Sequence, residues 1–237
     1  MIRAMYEIRA RWLGCRAEME RDAGRYDRAE LILRQALALT ERRGSADSLL
    51  AASLLNSLGM VHKYQGRFTE GARAYLRGIR AVRARLGPEH PAMATFYHNL
   101  GGLEHARGRH ARGEPFARRS VTLRERQVGP HHPDVARDIA ALGALVDGRG
   151  RHTEAEALQR RALAIFEARY GPEHREIGYV LANLAACLHA QGRSAEAEPI
   201  AERAVRMMRR YLGASHPEVE PALENLALIQ RARATAS

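Results

Sequence analysis

Aliphatic and small residues recur along the chain at a fixed step of 42 positions. Leu58, Leu100, Leu142, Leu184 and Leu226 are each followed by Gly or Ala. The dipeptide Gly-Arg stands at 24–25, 66–67, 108–109, 150–151 and 192–193. Five residues after each of these glycines comes a small residue: Ala29, Gly71, Gly113, Ala155 and Ala197. Seven further on comes another, Ala36, Gly78, Ser120, Ala162 and Ala204, followed directly by Leu37, Ile79, Val121, Leu163 and Val205. Glycine at the Gly-Arg turn can adopt positive φ, so one helix can stop and the next start within about two residues. The small columns predict where antiparallel helices touch, because a larger side chain would push their axes apart. The aliphatics then fill the seam between neighbouring units. Each unit reads as a hairpin, helix A before Gly-Arg and helix B after it.

A second phrase joins one hairpin to the next: LGPEHP at 86–91, VGPHHP at 128–133, YGPEHR at 170–175 and LGASHP at 212–217. Gly87, Gly129, Gly171 and Gly213 are placed to end helix B in the left-handed conformation. Pro91, Pro133 and Pro217 suit the first position of helix A, where a missing N–H costs nothing. His90, His132, His174 and His216 stand just before, at a position suited to capping or packing. Arg175 replaces the proline once, predicting a looser junction. The first unit departs from the pattern. Arg16 takes the core leucine position of helix A, and GSADS at 44–48 replaces the joint, so residues 1–43 read as a degenerate terminal repeat.

At 237 residues, 46% hydrophobic and 27% charged, the chain has the composition of a folded protein. No apolar run approaches the roughly 20 residues that span a bilayer. The N-terminus MIRAMYEIRARWLG carries charges throughout, which gives the cytoplasm as the default compartment. Cys15 and Cys187 are the only cysteines, far apart and without neighbouring ligands, so neither a disulfide framework nor a thiolate metal site is expected. The net charge of +11 raises nucleic-acid binding as an alternative function, but nearly all the basic residues are arginine. Several of these arginines close a helix B (Arg42 and Arg43, Arg83 and Arg85, Arg124 and Arg126, Arg209 and Arg210), where they offset the helix dipole. HARGRH at 105–110 lacks the HExxH spacing, and no phosphate loop or nucleophile motif is present. The Glu30, Glu114, Glu156, Glu198 column and the Arg77, Arg119, Arg161, Arg203 column are expected to stabilise helix faces or neighbouring repeats. No catalytic residue, metal site or cofactor is predicted.

The segment ANLAACLHAQGRSAEAEPIAERAV at 182–205, with looser copies at 56–79, 98–121 and 140–163, resembles the tetratricopeptide repeat. The match is to its 42-residue form, found in kinesin light chains and many bacterial repeat proteins. The resemblance implies an all-α, right-handed superhelical solenoid of helix-turn-helix hairpins: about five repeats plus a C-terminal capping helix. The expected divisions of this continuous array are 1–43, 44–86, 87–128, 129–170, 171–212 and 213–237. It also implies a non-enzymatic scaffold that binds a protein or peptide segment in a concave groove lined by helix A, serving as a docking or sensor module in a signalling system. The groove positions are Asn56, Lys63, His98, Asn99, His105, Arg137, Tyr179, Asn183, His189 and Asn225. Asn99, Asn183 and Asn225 share the column of the family's groove asparagine, where an amide can both donate to and accept from a peptide backbone. Ala140 and Ala141 interrupt that row in the middle unit. The basic members favour acidic segments or a terminal carboxylate.

Overall fold

The computed structural model describes residues 2–41, 48–214 and 216–235. The described residues form helices α1 (Ile2–Asp22), α2 (Tyr26–Glu41), α3 (Leu49–Tyr64), α4 (Phe68–Leu86), α5 (Ala92–Ala106) and α6 (His110–Val128). These are followed by α7 (Pro133–Asp147), α8 (His152–Tyr170), α9 (Arg175–Ala190), α10 (Ser194–Leu212) and α11 (Val219–Thr235). The fold is an all-α solenoid of paired helices, with α11 as the C-terminal cap. It groups into two compact units, residues 1–107 and 108–237. The expected boundary at 43/44, Arg42 and Arg43, and all of GSADS except Ser48 lie outside the described residues.

The small columns are buried as the spacing requires. Ala29, Ala36, Ala155, Ala162, Ala197, Ala204 and Ser120 are fully inaccessible. Gly71, Gly78 and Gly113 are also buried. In the first unit a β-carbon at Gly59 of α3 would lie 2.4 Å from the Tyr75 ring of α4. One at Gly78 of α4 would lie 2.2 Å from the Phe96 ring of α5. These two glycines admit an aromatic ring where any side chain would collide. The first unit's core joins Leu13 and Ala17 to Leu33, Leu37, Leu54, Leu55 and Val61. In the second, Val135, Ile139, Leu145, Ile165, Phe166, Ile177 and Val180 do the same. Arg16 is exposed, with its guanidinium 5.6 Å from the centre of the Trp12 ring, so the first helix loses one core contact and keeps its packing through Ala10, Leu13 and Ala17.

The Gly-Arg turns close helix A with a paired backbone motif. Gly66 has φ +72°, its N–H donates to Lys63 O at 3.1 Å, and Arg67 N–H donates to His62 O at 2.8 Å. This is the double bond of a Schellman cap, and it satisfies carbonyls that would otherwise be left open at the helix end. The same long bond runs from Arg25 to Glu20, Arg151 to Val146 and Arg193 to Leu188.

The joints between hairpins differ in two respects from the sequence expectation. Gly87, Gly129, Gly171 and Gly213 do have positive φ, between 79° and 94°, but their ψ values of 150–177° are extended, not left-handed helical. That region is open essentially to glycine alone, so the chain leaves helix B straight instead of curling back. Of the three prolines, only Pro133 is the first residue of its helix. Pro91 is the N-cap of α5, and Pro217 lies in the turn before α11. The histidines supply the capping. Nδ1 of His90, His132, His174 and His216 accepts from the backbone N–H two residues on, at 3.1, 3.1, 3.4 and 3.2 Å. The bond before Arg175, from Glu176 N–H to His174, is the longest of the four.

Candidate functional site

The polar face of the A helices is built within each unit from residues that the hairpin core does not use. In the first unit Asn56 (α3) and Asn99 (α5) are half-buried, and Asn99 Nδ2 donates to Asn56 Oδ1 at 2.7 Å. Two amides from successive A helices thus hold each other in a fixed orientation. Lys63, in the last turn of α3, is also half-buried, and desolvation alone lowers its pKa. Among the described residues no carboxylate is paired with it. Gly102 of α5 leaves room for it: a β-carbon there would stand 3.4 Å from Lys63 Nζ. His98 is half-buried and His105 exposed near the end of α5.

In the second unit Tyr179 and Asn183 (α9) meet Asn225 (α11) around one recess of about 400 Å³, whose walls also include Met208, Glu218 and Ala222. The Tyr179 hydroxyl donates to the Glu218 carboxylate. Burial, reinforced by that carboxylate, raises the phenol's pKa. Arg137 and His189 stand apart from the recess lining. Arg137 is exposed and pairs with Asp134 at 2.7 Å and Glu176 at 3.8 Å. The His189 ring is 2.9 Å from Ser194 Oγ, across the hairpin turn, which ties it to the joint.

The charged columns resolve into ties between consecutive repeats. The Gly-Arg arginine reaches back 37 residues to a helix-B glutamate: Arg67 to Glu30 at 2.8 Å, Arg151 to Glu114 at 3.0 Å and Arg193 to Glu156 at 2.8 Å. Glu114, only 5% exposed, also takes Arg149 and Arg118. Burial pushes its pKa up, but the hydrogen bonds from Arg149, Arg118 and Arg151 outweigh that and hold it at about 2. A second tie spans 36 residues, Arg161 to Glu125 at 2.6 Å and Arg203 to Glu167 at 2.8 Å. The recurrence of arginine after each turn glycine was the available signal for the first tie, and periodicity alone does not identify its partner.

Among the described residues no group of three or more His, Cys, Asp or Glu could hold a metal ion, and no helix is long and apolar enough to cross a membrane. Tandem hairpins, capped turns and carboxylate–guanidinium ties define a helical-repeat protein of the interaction-scaffold class. The tetratricopeptide repeat model matches residues 8–84, 50–112, 92–168, 148–210 and 176–234, so the chain belongs to the tetratricopeptide-repeat family. No curated protein matches it. Among solved structures it is similar to BtubC (BKLC) from P. vanneervenii, with a TM-score of 0.74 and 22% identity over 90% of this chain and 84% of that one. A putative kinesin light chain of Podosopora anserina with nearly identical TPR-like repeats gives 0.71 and 18%, over 87% and 98%. A thermophilic TPR protein in Thermus thermophilus gives 0.60 and 18%, over 91% and 99%.

Proposed function

We propose that the chain is a non-catalytic scaffold that holds an extended protein segment against the polar face of its A helices, with acidic residues of that segment directed to α3 and α5. The observation that carries the reading is the trio Asn56, Asn99 and Lys63. Two amides are pre-oriented by their mutual hydrogen bond, and facing Gly102, about one turn along α5 from Asn99, stands a half-buried ammonium with no paired carboxylate among the described residues. A ligand carboxylate there regains for Lys63 the solvation that burial removes, and a charge-assisted bond is about twice as strong as a neutral one. The amides retain unused donor and acceptor capacity for a peptide backbone. In the second unit Tyr179, Asn183 and Asn225 surround a recess suited to an uncharged side chain, since Glu218 already occupies its rim.

Nucleic-acid binding finds less support, because many arginines are already engaged by carboxylates, Arg67, Arg118, Arg151, Arg193 and Arg203 among them. A signalling role draws no support from the geometry. The test is a peptide array rich in acidic sequences, probed with the parent, Lys63→Ala, Asn99→Ala and Asn183→Ala. Loss of a charge-assisted bond predicts roughly tenfold weaker binding for Lys63→Ala. Unchanged binding by all three variants would sink the reading. A salt-steep affinity for oligonucleotides that ignores these substitutions would favour the alternative.

A further inference from the structure

Four of the Gly-Arg turns set their arginine on nearly the same backbone. Arg67, Arg109, Arg151 and Arg193 are the N-caps of α4, α6, α8 and α10, with φ of −84° to −95° and ψ of 49° to 61°. Three of them hold two carboxylates each. One comes from the helix-B glutamate 37 residues back, the other from the first turn of the helix that the arginine opens: Glu70 for Arg67, Glu154 for Arg151 and Glu196 for Arg193.

Arg109 breaks this rule twice over. Ala72 stands 37 residues before it, where the column otherwise reads Glu30, Glu114, Glu156 and Glu198. Three residues after it stands Arg112 in place of the glutamate, and α6 has no acidic residue in its first turn. Arg109 and Arg112 are exposed, and among the described residues neither is in an ion pair. Both line an open recess of about 540 Å³ together with His110, Gly148 and Arg149, and among the described residues no acidic one lines it. Gly148 lets the two turns come together, since a β-carbon there would stand 2.6 Å from the His110 ring. Like charges three residues apart on a helix repel, so this turn gains from a counter-charge that its own sequence omits.

We propose that this recess docks an acidic segment of a partner protein, whose carboxylates supply Arg109 with the two partners that its counterparts find within the chain. A guanidinium has five N–H donors, enough for two carboxylates, and each such bond is charge-assisted. Carboxylate is the group that the same turn takes in three other units, which favours an acidic segment over a phosphate backbone. A second copy of this chain is disfavoured by the net charge of +11, through which two copies repel. The recess shares no residue with the trio Asn56, Asn99 and Lys63 and acts independently of it.

The probe is a fluorescein-labelled hexaglutamate peptide, followed by fluorescence anisotropy with the full chain at physiological salt. The parent should bind it and ignore hexaglutamine. Arg109→Ala and Arg112→Ala should each weaken binding roughly tenfold. Arg112→Glu, which gives Arg109 the carboxylate that its counterparts have, should weaken it further. Arg193→Ala, at an arginine already engaged, should bind nearly as the parent does. Helical circular dichroism, expected unchanged, separates lost binding from lost fold. No binding by the parent, or equal binding by the parent and the three turn variants, overturns the inference. Loss with Lys63→Ala alone also overturns it, while upholding the A-helix site. An oligothymidylate of equal charge that binds more tightly, and is lost in the same turn variants, would assign the recess to nucleic acid instead.

Discussion

Replacing Gly78 by alanine inverts the usual effect of that substitution. In a helix interior Gly→Ala stabilises by about 0.8–1.0 kcal/mol, because alanine loses less backbone freedom. At Gly78 the added carbon would sit 2.2, 2.6 and 3.2 Å from three atoms of the Phe96 ring. Carbon atoms rest about 3.5–4.0 Å apart, so the ring must retreat by more than an ångström. Phe96 is 4% exposed, so its retreat displaces the residues packed around it. Overpacking of this kind costs about 1–3 kcal/mol, which cancels the propensity gain and leaves a net loss of up to roughly 2 kcal/mol. Gly102→Ala is the matched control. Its nearest neighbour is the flexible end of Lys63 at 3.4 Å, so it should gain up to about 1 kcal/mol. Urea unfolding followed by helical circular dichroism measures both. Phe96→Leu, made alone and together with Gly78→Ala, completes a double-mutant cycle whose coupling should exceed about 0.5 kcal/mol, with the smaller residue relieving the clash. Gly78→Ala stabilising as much as Gly102→Ala, or a cycle with no coupling, would refute the claim that small residues set the distance between helices.

The remaining expectations use the same assay. Glu114→Gln should cost about 1–2 kcal/mol at neutral pH, since charge-assisted hydrogen bonds contribute on that scale. The folded pKa of Glu114 is depressed to about 2 from an ordinary 4.5. Its stabilisation is therefore complete above about pH 4.5 and lost as pH falls toward 2, and the variant's stability should decline less steeply across that window. His132→Ala removes the acceptor for Asp134 N–H and should cost about 1 kcal/mol, whereas His132→Asn, which can still cap, should cost little. Among the described residues the buried Tyr75 hydroxyl has no hydrogen-bond partner, so Tyr75→Phe should leave stability unchanged or raise it by up to about 1 kcal/mol, read as a shift in unfolding midpoint.

The 42-residue step made the hairpin plan readable because packing imposes the same demand in every unit. A residue such as Ala162 or Ala204 is small for one reason wherever it recurs. Capping by the joint histidines was also open to inference, since each imidazole stands just before a helix start. What sequence concealed were details of backbone geometry and of side-chain reach. The extended ψ at Gly87 cannot be told from a left-handed cap by residue type, because glycine serves both. The helix start at Pro133 but not at Pro91 reflects one residue of difference in where the first turn closes. The amide pair Asn56–Asn99 joins two different columns, so column-wise reading missed it. Arg137 and His189, two of the predicted groove positions, each have a nearby partner, Asp134 in one case and Ser194 in the other. Neither contact follows from periodicity.

The glutamate–arginine ties have a consequence for how such a chain can change in length. A carboxylate on one helix B is answered by a guanidinium 37 residues later, just past the next turn. One residue inserted within the helix A that lies between them would rotate its downstream end by about 100° and carry the guanidinium off its mark. Electrostatics therefore acts as a ruler alongside steric fit, metering each module to a single size and rejecting those that are one residue too long.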